Sequence, residues 1–152
     1  MILELKDICD FGLTYSPTKD SDDNQIYPLW WLSLDSYTVV RVNDIIIQYG
    51  YQTKEEIEAS GFFIPFFQTK AEPLAEEFIR NECPYYDKEI QRILRINNEK
   101  GSDMNYHLAF HTFVFSSAKY ERIFTQYKHF VWQRLYEDCE AWCKKYHIRY
   151  KK

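Results

Sequence analysis

The sequence predicts an α+β fold, with a small antiparallel sheet in the N-terminal half packed against about four helices in the C-terminal half. Three observations carry this. Two short runs rich in aromatic and β-branched residues, 29–34 (LWWLSL) and 37–42 (YTVVRV), are separated only by Asp35-Ser36, which is the pattern of a β-hairpin. From residue 70 to the end, apolar residues recur at steps of three and four, the period of helices that bury one face. Strand-like runs precede helix-like runs instead of alternating with them, so sheet and helices should segregate.

Each element follows from its residues. In 2–10 (ILELKDICD), Ile2, Leu5, Ile8 and Cys9 stand at helical spacing, with Gly12 as a stop. Residues 14–28 are polar, contain Pro17 and Pro28, and read as a loop. The hairpin turn that follows lacks the preferred glycine. The run 45–51 (IIIQYGY) suits either a short helix or a third strand. Thr53 followed by Glu56 matches a capping box for a helix over 54–59, which Gly61 can end. Residues 62–68 (FFIPFFQ) hold Pro65, and proline cannot donate to a ladder, so a strand here belongs at a sheet edge.

The helical half opens with Pro73 in the first turn of a helix over 73–81, where Leu74, Phe78 and Ile79 face inward. Pro84 ends it. Asp87 caps the next helix, which runs to Asn98 and closes at Gly101. Residues 103–115 are apolar nearly all round, the mark of a central buried helix. Ser116-Ser117 interrupts, and a long amphipathic segment over 118–146 carries the stripe Phe124, Tyr127, Val131, Leu135, Cys139, Trp142 and Tyr146. There is no internal repeat and no composition break, so residues 1–152 read as one domain. That length can bury about 70% of the surface its unfolded chain exposes.

Composition bears on function. The aromatic share is 18%, with 13 Tyr, 11 Phe and 4 Trp. So many tyrosines cannot all be buried with satisfied hydroxyls, and those left at the surface suit contacts with another protein. The competing explanation is a core low in glycine that uses rings as filler. Charge is uneven: residues 1–28 carry two lysines against six acids, whereas residues 118–152 carry nine Lys/Arg against four acids. Four sparse cysteines in a chain of this length are no disulfide framework and point to a reducing compartment. The start, MILELKD, has acids where a signal peptide needs cations. No run approaches the roughly 18 apolar residues of a membrane span. The expectation is a cytoplasmic chain without membrane partners.

Candidate chemistry is sparse. His107 and His111 stand at i, i+4, as do Cys139 and Cys143, so two His and two Cys could meet as a structural zinc site. Helical pairs of this kind are loose signals, and the residue after His107 is Leu108 where zinc hydrolases place a glutamate. The set is a long shot, and no metal or cofactor is expected. Asp20-x-Asp22-x-Asn24 resembles the opening of a calcium loop, but Gln25 replaces the needed Gly and Trp31 the needed Glu. The carboxylates Asp35, Asp44, Glu55, Glu56 and Glu58 show no partner that would set two pKa values apart. Ser116-Ser117 lacks the flanking glycines of a nucleophile elbow. Four scattered glycines exclude a Gly-rich phosphate loop. The C-terminal cations, from Lys119 to Lys152, are interleaved with aromatics as in nucleic-acid surfaces, though the overall pI of about 5.6 argues against that role.

The order of parts resembles a family of short uncharacterised bacterial proteins. The residues that carry the likeness are the hairpin Trp31-Leu32-Ser33-Leu34-Asp35 with Thr38-Val39-Val40, then Ile64-Pro65 and Phe78-Ile79, and finally Tyr127, Phe130, Leu135, Trp142 and Ile148. The family's Gly/Arg-containing turn appears here as 111–119, without glycine. The resemblance implies no activity. The functional expectation is therefore a non-catalytic interaction domain of antitoxin, immunity or regulatory type, contacting another protein through Tyr27, Trp30, Trp31 and Tyr37. Adjacent Trp30 and Trp31 on a strand must face opposite sides, so one enters the core and the other is exposed or bound. The alternatives are an enzyme on an unfamiliar scaffold, with a pocket near His107 and His111, or nucleic-acid binding through the basic C-terminal helix.

Overall fold

A computed structural model describes residues 1–15 and 24–152; the Asp20 and Asp22 of the calcium-loop comparison and most of the polar loop lie outside the described residues. The fold is α+β, with a three-stranded antiparallel sheet in the N-terminal half and a set of helices in the C-terminal half. In chain order the elements are β1 (Leu3–Glu4), α1 (Leu5–Ile8), β2 (Leu13–Thr14), β3 (Trp30–Ser33), β4 (Thr38–Arg41), α2 (Val42–Tyr49) and α3 (Lys54–Ala59). They continue with β5 (Phe63–Pro65), β6 (Thr69–Lys70), α4 (Glu72–Glu82), α5 (Asp87–Glu99), α6 (Tyr106–Val114), α7 (Glu121–Lys145) and β7 (Tyr150–Lys151). The residues group into two compact units, one made of Met1–Thr69 with Leu135–Lys152 and the other of Lys70–Arg134.

In the first unit the sheet order is β4-β3-β5. The hairpin register sets Trp30 opposite Arg41, Trp31 opposite Val40 and Ser33 opposite Thr38. On its other side β3 meets β5, with Trp31 opposite Pro65 and Ser33 opposite Phe63. Proline therefore sits on an edge strand, as its missing N–H requires. Without a glycine the hairpin turn closes by placing Tyr37 at φ +58°, and the Tyr37 N–H donates to the Ser33 carbonyl at 2.7 Å. The run after β4 is a helix, not a strand. Val42 and Ile45 are buried three residues apart while Ile47 is 83% exposed, a spacing that serves one helical face. Gly50, at φ +74°, ends α2 with its N–H on the Ile46 carbonyl. Trp31, Val42, Ile45, Ile57 and Phe63 form the core on this side of the sheet. Leu32, pointing the opposite way, is also fully buried.

The first residues depart from the helix expected over 2–10. Leu3 and Glu4 are extended and pair in parallel with Tyr150 and Lys151. Only Leu5–Ile8 is α-helical, followed by a 3-10 turn over Cys9–Gly12. A pairing between chain ends leaves no local trace in sequence, which is why the periodicity pointed elsewhere. Gly12 is no left-handed stop either: the Phe67 ring occupies the space a Cβ there would need.

In the second unit the helices begin and end close to the expected positions, with differences at two places. Asp87 does not cap α5; its carboxylate instead accepts from the Tyr106 hydroxyl at 2.8 Å. The α6 helix is not buried all round, since Leu108 is 49% and Phe115 (just past its end) 67% exposed. Its inward face supplies Tyr106, Ala109, Phe110, Phe113 and Val114 to a core that also holds Leu74, Phe78, Ile79, Ile90 and Tyr127. Rings meet edge-on there, with Phe110–Tyr127 centroids at 4.6 Å and Phe78–Tyr127 at 5.7 Å. Such pairs are worth about 0.5–1.5 kcal/mol beyond the burial itself. Arg134 of α7 grips Glu77 of α4 through both guanidinium NH groups. Among the described residues no helix is long and apolar enough to cross a membrane.

Candidate interaction site

The four residues expected to form a contact surface separate in space. Trp31 is fully buried, and its indole N–H donates to the Pro28 carbonyl at 2.8 Å; it belongs to the core. Trp30 is half-buried on the opposite face of β3. The Phe11 ring lies 4.6 Å from its centroid and the Arg41 guanidinium 6.0 Å away. Tyr27 is 40% exposed beside it in sequence. Tyr37 sits at the other end of the hairpin, four residues along from Arg41, the partner of Trp30, or roughly 13 Å by the strand rise. There its hydroxyl accepts from the Arg149 N–H at 3.2 Å. A bulky residue in left-handed backbone costs about 1–2 kcal/mol, so Tyr37 is held under strain. Tyr27 and Trp30 can share one surface; Tyr37 marks a second place and Trp31 none.

Behind Tyr27 the chain enters a feature that sequence reasoning did not single out, a groove of about 460 Å³ in the first unit. Its walls are Pro28, Pro65, Phe66, Phe67, Trp142 and Tyr146, and Lys54, Lys145, Asp138 and Ala141 stand among them. It forms where distant parts of the chain meet. Just past Pro65, the last residue of β5, Phe66 still donates its N–H to the Trp30 carbonyl at 3.1 Å, and Phe66 and Phe67 lie against the second half of α7. Phe66 meets Trp142 edge-on at 4.7 Å, and the Trp142 indole N–H donates to the Pro65 carbonyl at 2.9 Å. The Asp138 carboxylate accepts from the Thr69 hydroxyl at 2.6 Å. Lys145 holds its ammonium 5.3 Å from the Tyr146 centroid, and Lys54 lies 3.7 Å from Glu58. The signal in sequence was the clustering of rings about a proline in FFIPFFQ, read above only as a strand.

The second unit carries a groove of about 660 Å³ lined by Phe78, Glu82, Thr125, Gln126, His129, Phe130 and Gln133. Glu82 and His129 are both exposed to water.

The His and Cys pairs fall in different units. His107 and His111 rings lie 4.3 Å apart, and His111 Nδ1 donates to the His107 carbonyl at 2.8 Å. Burial, and then the neighbouring His111, hold His107 below the usual imidazole value, with Glu72 pulling the other way. Cys139 and Cys143 are fully buried. A hydrogen bond between the two thiols, followed by burial, raises the Cys139 value. Cys9, likewise buried, is pushed up to about 11, first by burial and then by Asp10. Cys139 and Cys9, thiols held protonated in apolar surroundings, behave as small hydrophobes, whereas the hydrogen bond with Cys139 holds Cys143 below the usual thiol value. Among the described residues no group of three or more His, Cys, Asp or Glu is placed to hold a metal ion. No family model, curated protein or solved structure matches the chain.

Proposed function

We propose that this chain is a non-catalytic cytosolic domain that binds another protein through the aromatic groove of its first unit, in the manner of an antitoxin, immunity or regulatory protein. One observation carries the reading. The groove presents rings, prolines and two lysines, and its one carboxylate and its indole N–H are both hydrogen-bonded within the wall. Asp138 is taken by Thr69 and the Trp142 indole by Pro65. Prolines and rings offer shape and apolar area, and the lysines suit the polar rim of such a surface. Half-exposed Trp30 and exposed Tyr27 extend the aromatic surface of the same unit.

The basic C-terminal residues favour nucleic acid less. Arg134 is engaged by Glu77, and Lys144 and Lys152 both lie 3.0 Å from Glu140, so part of their charge is already neutralised.

The test is a tagged pull-down from native extract with and without nuclease, run beside the variant Ala141→Arg. Ala141 is exposed and lines the groove, so arginine there fills the groove without entering the core. The expected result is one stoichiometric protein that survives nuclease and is lost with Ala141→Arg, while the circular dichroism and Tm of the variant match those of the parent. A partner lost on nuclease treatment, or none at all, would overturn the reading.

A further inference from the structure

The inward face of α6 takes Tyr106, Ala109, Phe110, Phe113 and Val114. Leu108, Thr112 and Phe115 follow the other face at steps of four and three, and all three are exposed. Phe115 is 67% exposed, so it forgoes the burial that a ring gains in a core. It has company at the surface. Its ring lies 4.9 Å from that of Phe124 in α7, and the His111 ring lies 6.0 Å from Phe124. The chain that follows Phe115 is cationic. Lys119 stands on the 3-10 turn Ala118–Tyr120, and Arg122 and Lys128 on the first two turns of α7. Glu121 is the only acid between Asp103 and Glu137. Arg134, Lys144 and Lys152 face carboxylates, whereas among the described residues Lys119, Arg122 and Lys128 enter no ion pair. The Lys128 ammonium lies 5.1 Å from the Phe124 centroid, and that of Lys119 lies 5.1 Å from Tyr120. Positive charge in excess beside an open ring suits a ligand that alternates planar groups with phosphates. The bases of a single strand stack on aromatic side chains whatever their sequence, and its phosphates attract Lys and Arg. An acidic peptide supplies the charge without a planar group at each repeat.

We propose that this corner of the second unit binds single-stranded RNA, stacking a base on Phe115 and setting phosphates against Lys119, Arg122 and Lys128. It involves no residue of the first-unit groove and stands apart from the reading given for that groove. Only the choice of RNA over DNA is taken from that reading, because a cytosolic chain meets single strands as RNA.

The test titrates the full-length protein into a fluorescein-labelled oligouridylate of about twelve nucleotides and reads anisotropy between about 50 and 200 mM salt. Binding is expected, with log affinity falling against log salt at a slope of about −2, as for three phosphate contacts on a single strand. Phe115→Ala should weaken binding at least about fivefold, the lower end of what one stacked base contributes, and leave the slope alone. The triple variant Lys119→Gln/Arg122→Gln/Lys128→Gln should bring the slope close to zero. All four side chains are exposed, so both variants keep their fold, which circular dichroism and Tm check. No binding at about 50 mM salt, full affinity in Phe115→Ala, or equal binding of an RNA duplex would overturn the proposal. So would tighter binding of oligothymidylate. Displacement of the oligouridylate by poly-glutamate or by phosphatidylserine vesicles at matched charge would also overturn it, since the corner would then accept any polyanion.

Discussion

The second unit is one unbroken run of chain, Lys70–Arg134, whereas the first is assembled from both ends, Met1–Thr69 and Leu135–Lys152. In the second, each helix is set by the residues within it, and its core side chains recur at helical steps. In the first, residue 3 pairs with residue 150, and Trp142 closes a bond to Pro65. Contacts of that separation carry a loop-closure cost before they return anything. The difference teaches where sequence reading works: it succeeds where the partners of a residue lie within a few turns of it, and it fails where they do not.

The largest effects should come from one ring in each core. Phe110 and Trp31 are fully buried, and a buried Phe or Trp reduced to alanine costs about 3–5 kcal/mol. Urea unfolding of Phe110→Ala and Trp31→Ala should show losses of that size. The two differ in kind, which Trp31→Phe makes visible. That variant keeps a ring but removes the donor to the Pro28 carbonyl, leaving a buried acceptor short by about 1–3 kcal/mol. A loss below about 1 kcal/mol for either alanine variant would mean that the ring is not central to its unit.

Particular residues show how far the sequence could be read. Thr53 and Glu56 form the expected cap of α3: the Thr53 hydroxyl accepts from the Glu56 N–H at 3.2 Å, and the Glu56 carboxylate accepts from the Gln52 N–H at 2.8 Å. Pro65 lies on an edge strand and the helix starts of the second unit fall within a few residues of those expected, because caps and prolines act over one turn. Asp87 looked like another cap, yet Tyr106, far along the chain, claims its carboxylate. The hairpin was legible from its strands, but the left-handed Tyr37 was not, since its turn contains no residue that prefers that conformation. The groove was legible least. Its walls come from residue 28, from residues 54–68 and from the end of α7, and no spacing rule connects them.

An intermediate effect separates two reasons for conserving space. Gly12→Ala would drive a Cβ into the Phe67 ring, and overpacking of this kind costs about 1–3 kcal/mol. Phe67→Leu in the same chain should recover much of the loss. Gly50 has open space around it but sits at φ +74°, so Gly50→Ala should cost about 1–2 kcal/mol from backbone strain alone. No change in a neighbour should rescue it. Thermal unfolding of the four variants would settle the contrast, and rescue of Gly50→Ala by Phe67→Leu would contradict it.

The last effects follow pH, through one titrating group in each unit. In the second unit, His107 has a folded value depressed below its ordinary 6.5. The unfolded chain takes up a proton near that pH which the folded chain refuses until the medium is more acid. Its contribution is therefore complete above about pH 6.5 and declines as pH falls towards the folded value. In the first unit, Cys9 is raised from 9.0 to about 11. Here the unfolded chain loses its proton first, so stability is complete below pH 9 and declines as pH rises towards 11. Unfolding free energies measured across both windows should show His107→Gln flattening the acid decline only and Cys9→Ala the alkaline decline only. If His107→Gln left the acid slope unchanged, the imidazole would be equally solvated in both states, and the burial assigned to this face of α6 would be wrong.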